Sequence, residues 1–203
     1  MFNILFITLS FSLWIFLIPL ILAFPHNKSF LQSSKAWIFF GVISFLGFSA
    51  GVNLVLFNQF ALSPEFNIRG ILLFIICIAA FTDVFAYFIG KSLGKRKFLQ
   101  NVSPKKTLEG FIGGVILTSL FLSISISIFK EVSFAPILLL ILITSTFSII
   151  GDASASLFKR VSGTKDSSNL IPGHGGIFDR IDSHLAAFPI FLFFNFFVFH
   201  LIK

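Results

Sequence analysis

The sequence predicts an all-α, polytopic integral membrane protein, and three observations lead there. Apolar residues fill 56% of the 203 positions and charged residues 11%, against about 45–50% and about 25% in soluble domains. The apolar residues fall into six runs, each near the roughly 20 residues that a helix needs to cross a bilayer. Lys and Arg divide 12 to 3 between alternate loops, the asymmetry of a membrane topology signal. A mean hydropathy of +1.00 excludes a disordered chain, a nucleic-acid-binding domain and a secreted disulfide scaffold.

In chain order the runs are Phe2–Phe24, Ala36–Leu62, Gly70–Gly90, Gly110–Phe129, Val132–Gly151 and Leu185–Ile202. No basic residue precedes the first run and no small-residue cleavage site follows it, so a retained helix is expected rather than a cleaved signal peptide. Pro19, Pro136 and Pro189 lie within runs, where neighbouring helices can satisfy the carbonyls they free. No repeat or linker interrupts the chain, and residues 1–203 read as one membrane domain. The single cysteine, Cys77, cannot form an intramolecular disulfide and reads as a small hydrophobe. Gly47, Gly113 and Gly114 permit close helix packing or a homodimer seam.

The 12 cations of the richer side follow the first, third and fifth runs, and only Arg69, Lys130 and Lys203 lie opposite. The positive-inside rule therefore predicts cytoplasmic placement for the loops after those runs, with both termini outside. Asp83, Glu109, Asp152, Asp166, Asp179 and Asp182 fall on that same side or at its membrane edge. A polar site is thus expected at one membrane face rather than at the midplane.

The densest chemistry lies between Gly151 and Ser183. Asp152 ends the fifth run, where an acid is costly unless paired or bound to metal. Ser156 and Lys159 share its helical face at i+4 and i+7. Ser162-Gly163 and Pro172-Gly173 then break the helix. Asp179 and Asp182, at i and i+3, project side by side on a helix and repel unless a cation lies between them. Their oxygen-only character favours Mg²⁺, which takes the rest of its shell from water and phosphate oxygens. The competing reading is a salt-bridged loop in which Arg180, Lys159 and Lys165 pair with these acids.

Two further clusters stand upstream. Asp83 lies inside the third run with Tyr87 one turn along the same face, and an acid at that depth is a functional candidate. From Lys91 to Glu109 there are six cations in 19 residues, suited to a polyphosphate or to anionic lipid. Lys105 and Lys106 are expected to open a helix after Ser103-Pro104, where the dipole adds to their charge. No phosphate loop, zinc helix or nucleophile elbow is present. His174 is the one histidine in a plausible site, while His26, His184 and His200 read as structural.

Ser156 to Asp182, S-L-F-K-R-x₄-K-D-x₃-L-I-P-G-H-G-G-I-F-D-R-I-D, resembles the signature of the phosphatidate cytidylyltransferases, or CDP-diacylglycerol synthases. Asp83–Lys91 and Ser103–Gly110 (S-P-K-K-T-L-E-G) resemble that family's other conserved segments in the same order. The resemblance implies that CTP and phosphatidate, with Mg²⁺ alone or with a second cation, give CDP-diacylglycerol and pyrophosphate at a bacterial cytoplasmic membrane. It also implies longer relatives with additional N-terminal spans, making residues 1–69 an abbreviated N-terminal part and 70–203 the catalytic part.

On this reading Asp152, Asp179 and Asp182 hold the metal, and Asp83, Lys159 and Arg180 complete the catalytic set. Ser103, Lys105, Lys106, Thr107, Arg160, Lys165 and Asp166 contact substrate. Gly173, His174, Gly175 and Gly176 let backbone amides approach the ligand. Two other classes compete. A CTP-dependent lipid-alcohol kinase of the polyprenol or phytol type would release CDP. A transporter would place its site near the midplane, often between repeats.

Overall fold

The computed structural model describes residues 2–57, 68–130, 133–164, 167–168 and 176–199. Its helices are α1 (Phe2–Leu22), α2 (Lys28–Leu31), α3 (Ser34–Leu56), α4 (Ile68–Leu93), α5 (Leu108–Lys130), α6 (Phe134–Val161) and α7 (Phe178–Phe194), followed by a π-helical turn at Asn195–Phe199. Among the described residues, six helices are long and apolar enough to span a membrane. The chain is an all-α, polytopic integral membrane protein.

Helix ends depart from the ends of the apolar runs. The fifth run stops at Gly151, but α6 continues to Val161, because a drop in hydropathy does not interrupt backbone hydrogen bonding. The helix ends where Gly163 takes φ +69°. There Gly163 N–H donates to the Arg160 carbonyl at 3.3 Å and Thr164 N–H to the Lys159 carbonyl at 2.9 Å. These two bonds form a Schellman motif, which favours glycine at the left-handed position. Asp152 and Lys159 therefore both lie on ordered helix. The last span likewise starts at Phe178 rather than Leu185, which brings Asp179 and Asp182 onto α7.

The bundle pairs α1 with α3, α4 with α5 and α6 with α7, while α7 also touches α1, α3 and α4. Helix α7 is the central element: 61% of its span is buried, against 28% for α1. Around it two cores form. One is built on Ile75, Ile78, Ile137, Ile141 and Phe191, and the other, nearer the acids, on Trp14, Leu17, Val102, Leu157 and Ile190.

The small residues are used within the chain. A Cβ on Gly47 would lie 2.3 Å from Ser10 Cβ, and one on Gly114 would lie 2.9 Å from Ala86 Cα. These glycines set the close crossings of α1 with α3 and of α4 with α5.

Candidate active site

The site begins at the crossing of α6 and α7. A Cβ on Gly151 would stand 2.6 Å from the Asp182 carbonyl oxygen, so the helices meet there nearly backbone to backbone. Asp152 follows immediately. Asp182 is buried, and its Oδ1 accepts the Ser183 N–H at 2.7 Å. Asp152 lies within electrostatic reach of Asp182 and also of Asp83 on α4. Lys106 closes an ion pair with Asp152. Three carboxylates and a lysine from four segments thus converge at one end of the bundle.

Lys106 is held there by a stitched loop. Phe98 N–H donates to the Lys106 carbonyl and Leu108 N–H to the Arg96 carbonyl, both at 2.9 Å. Glu109, in the first turn of α5, accepts the Lys95 N–H at 3.0 Å and the Arg96 N–H at 3.1 Å. Thr107 Oγ1 accepts the Gly110 N–H at 3.1 Å, the bond of an N-cap residue. This cap corrects one expectation. Lys105 and Lys106 do not open the helix; they precede it in the loop, because Thr107 caps α5 and the Lys106 backbone is bonded across the loop. They still lie beside the positive end of α5.

Other side chains anchor the loop to the bundle. Arg160 Nε donates to the Val102 carbonyl at 3.2 Å, which makes Arg160 a brace for the basic loop. Asn101 Nδ2 reaches the Phe24 carbonyl at 3.4 Å. Ser103 supplies the turn, its carbonyl accepting the Lys106 N–H at 3.2 Å. Sequence reasoning missed the part played by Glu109, whose partners lie 13 and 14 positions away. An acid in a first helical turn, beside an S/T cap, is the signal available for it.

Between this loop, α4 and α6 lies a cavity of about 380 Å³, whose lining includes Asp83, Tyr87, Lys91, Lys105, Lys106 and Asp152. Lys91, which the sequence reading leaves out of the candidate contacts, joins them here; its Nζ stands 5.8 Å from the Tyr87 ring centroid. Clustered ammonium groups beside carboxylates suit a polyphosphate that needs positive charge on its oxygens.

Asp179 is differently engaged. Its Oδ1 accepts from Lys159 Nζ at 2.8 Å. Its Oδ2 accepts from Ser167 N and Gly176 N, each at 3.0 Å, and from Ser167 Oγ at 2.9 Å. Of the two sequence readings for these acids, the pairing with Lys159 is present here, and with the bonds from Ser167 and Gly176 it ties those residues to α6 and α7. Arg180 is exposed on the first turn of α7. Lys165, Asp166, Gly173, His174 and Gly175 lie outside the described residues.

Among the described residues, no three acid, His or Cys side chains stand close enough to hold a metal ion between them. Mg²⁺ does not demand such a cage, since it is usually bound through one or two carboxylates plus substrate phosphates. The oxygen-only donors at Asp152 and Asp182 fit that chemistry, whereas Asp179 contributes only when released from Lys159.

Known proteins resemble this chain in sequence. The Cytidylyltransferase family profile matches residues 1–198. A phosphatidate cytidylyltransferase of Haemophilus influenzae is 37% identical over 193 residues, covering 92% of this chain and 67% of that protein. The Pseudomonas aeruginosa enzyme of that name is 36% identical over 180 residues, 88% of this chain and 64% of the relative. The Bacillus subtilis enzyme is 45% identical over 128 residues, 60% and 46% respectively. The chain therefore spans between about half and two thirds of the length of these relatives. With the profile running through all six spans and both charged segments, the chain belongs to the cytidylyltransferase family.

Proposed function

We propose that the protein transfers the cytidylyl group of CTP to phosphatidate, giving CDP-diacylglycerol and pyrophosphate for phospholipid synthesis. The observation that carries this reading is the cavity in which Lys91, Lys105 and Lys106 face Asp83 and Asp152. The relatives named phosphatidate cytidylyltransferase support it.

The chemistry asks little of a general base. A phosphate oxygen of phosphatidate is already an anionic nucleophile; it forms a bond to the α-phosphorus of CTP as the bond to the pyrophosphate oxygen breaks. The barrier is charge repulsion and alignment, so catalysis consists of neutralisation and in-line positioning. Lys105 and Lys106 are the proposed contacts for phosphate oxygens, and Lys159, paired with Asp179, joins them on release. Asp152, Asp179 and Asp182 are the proposed holders of Mg²⁺. When bound, the cation neutralises phosphate oxygens and the leaving pyrophosphate.

The test is a labelled-CTP assay on purified protein with phosphatidate. Release of pyrophosphate with formation of CDP-diacylglycerol is expected; release of CDP would instead identify a lipid kinase, and no turnover would remove both. A graded result is expected within the basic loop. Lys106→Ala should lower kcat/KM by one charge-assisted contact, about 1.5–3 kcal/mol or roughly 10- to 150-fold. The exposed Lys97 should matter far less, and equal small effects would favour a surface-charge role.

We also infer that the site faces the cytoplasm at a bacterial inner membrane, from the 12 to 3 division of cations. Cysteines at Ser103 and Ser168, in a Cys77→Ser background, should resist an impermeant thiol reagent applied to intact cells. Labelling of both from outside would reverse the orientation.

A further inference from the structure

A second cavity, of about 300 Å³, lies on the other side of the α6–α7 crossing, between α1, α3, α6 and α7. Asp182 lines it at the level of the acids. Trp37, Phe40, Gly41 and Ser44 supply the α3 wall, spaced i, i+3, i+4 and i+7 on one helical face. From Trp37 to Ser44 that face runs about 10 Å along the axis at 1.5 Å per residue. The walls are mostly aromatic and aliphatic, and most of their polar groups are satisfied. Trp37 Nε1 donates to the Leu31 carbonyl at 2.6 Å and Ser154 Oγ to the Gly151 carbonyl at 2.7 Å.

Two lining groups differ. Trp14 Nε1 and Ser44 Oγ, on residues each 1% exposed, have no hydrogen-bond partner among the described residues. Buried hydroxyls without partners also occur elsewhere, at Thr118 and Ser123 for example. Trp14 and Ser44 are distinguished by lining the same cavity. An indole N–H only donates, and a serine hydroxyl can donate too. Leaving such groups unpaired in an apolar setting is costly, so an occupant bearing acceptor oxygens and little charge would satisfy both.

The surroundings identify that occupant. An apolar groove of about 190 Å³ shares Trp37 and Phe40 with the cavity and is bordered by Phe16 and Phe39. Those two rings are 58% and 63% exposed on helices that span the membrane, so the groove leads to the acyl region of the bilayer. The cavity thus has the acids at one end and, beyond Trp37 and Phe40 at the other, a groove open to lipid. A nucleotide base would match the aromatic walls but not this connection.

Resting on the proposed reaction, we propose that this cavity holds the glycerol ester region of phosphatidate, with Trp14 Nε1–H and Ser44 Oγ–H donating to its acyl ester carbonyl oxygens. The phosphate then lies towards Asp182 and the charged cavity beyond, while an acyl chain follows the groove between α1 and α3. The site therefore selects diacyl over dialkyl lipid, because an ether linkage has no carbonyl acceptor.

Two measurements test this. In mixed micelles with CTP, kcat/KM is compared for diacyl phosphatidate and its dialkyl ether analogue. Wild type should favour the ester. Trp14→Phe and Ser44→Ala should each lower kcat/KM for the ester roughly three- to tenfold, one hydrogen bond's worth, leaving the ether and the KM for CTP unchanged. Equal losses on both lipids, or a raised KM for CTP, would overturn the assignment while the proposed reaction stands. The second measurement needs no turnover. Trp14 and Trp37 are the two tryptophans, so Trp37→Phe leaves Trp14 as sole reporter. Its emission should shift on adding diacyl phosphatidate and not the ether. A shift without any cytidylyl transfer would remove the reaction and keep the lipid site; no shift would remove the site.

Discussion

Asp152→Asn should lower cytidylyl transfer by about 10²- to 10⁴-fold while leaving protein that extracts and migrates as wild type does. Asp152 is the group through which the two halves of the charged site communicate. It pairs with Lys106 from the loop before α5, and it lies in the field of Asp182 and Asp83. Replacing its carboxylate removes two charge-assisted interactions, one with the lysine and one with any cation shared with substrate. Each is worth about 1.5–3 kcal/mol, which gives the stated range. The fold should tolerate the change, because Asn is isosteric and Gly151, which sets the α6–α7 approach, is untouched. A double-mutant cycle with Lys106→Met separates the roles. If the pair only braces the loop, the double variant should recover stability and much activity; if both groups act on phosphate, it should be as inactive as Asp152→Asn. Turnover within about fivefold of wild type in well-folded Asp152→Asn would remove Asp152 from the site.

How much of this was legible differs by level. Six spans could be read because each apolar run alone satisfies the bilayer's length requirement. Which helix stands at the centre could not. Helix α7 has the lowest hydropathy of the six, 1.6 against 2.5 for α1, yet is the most buried. Hydropathy reports the transfer of a segment out of water, and lipid and protein interior are both apolar destinations. A lipid-facing helix must be apolar, or bonded to its own backbone as Ser12 is to the Thr8 carbonyl, at its exposed positions, whereas a central one can carry Asp182, Ser183 and Asn195, all buried, provided the protein surrounds them. The polar residues that hold the last apolar run back to Leu185, although the helix starts at Phe178, are thus the mark of its central place.

The site was legible as a gathering of acids and cations at one face, since charge is costly within a bilayer and its positions stand out. Its internal connections were not. Glu109 bonding to Lys95 and Arg96, Arg160 to Val102, and Gly151 making room for the Asp182 backbone depend on contacts between distant segments with no local pattern. Pairing itself was equally hidden. Spacing placed Asp179 and Asp182 on one helical face, but could not show that one would meet Lys159 while the other was buried beside Gly151.

Asp179→Asn should lower turnover by at least about 10²-fold, the scale of losing one preorganised charged group, and should also lower the thermal midpoint in detergent. The carboxylate accepts from Lys159, Ser167 and Gly176, joining α6 and α7 to both of the latter residues. An amide presents N–H groups to donors on one side, so part of this clasp is lost whichever way it turns. Lys159→Met should lower the midpoint through the same pair, and the double variant should fall by less than the sum. That pattern tests the clasp alone. The metal proposal makes a further demand, because Asp179 is to exchange Lys159 for a cation as phosphate arrives and draws the lysine away. Mg²⁺ with a non-reacting CTP analogue should then raise the wild-type midpoint, as a ligand that binds only the folded state must. It should do so less in the Asp179→Asn, Lys159→Met double variant than in Lys159→Met alone, since those two differ only in the proposed ligand. Equal stabilisation of both variants would make Asp179 a clasp and nothing more, leaving Asp152 and Asp182 to hold the ion; near-normal turnover in purified Asp179→Asn would remove it from the chemistry altogether.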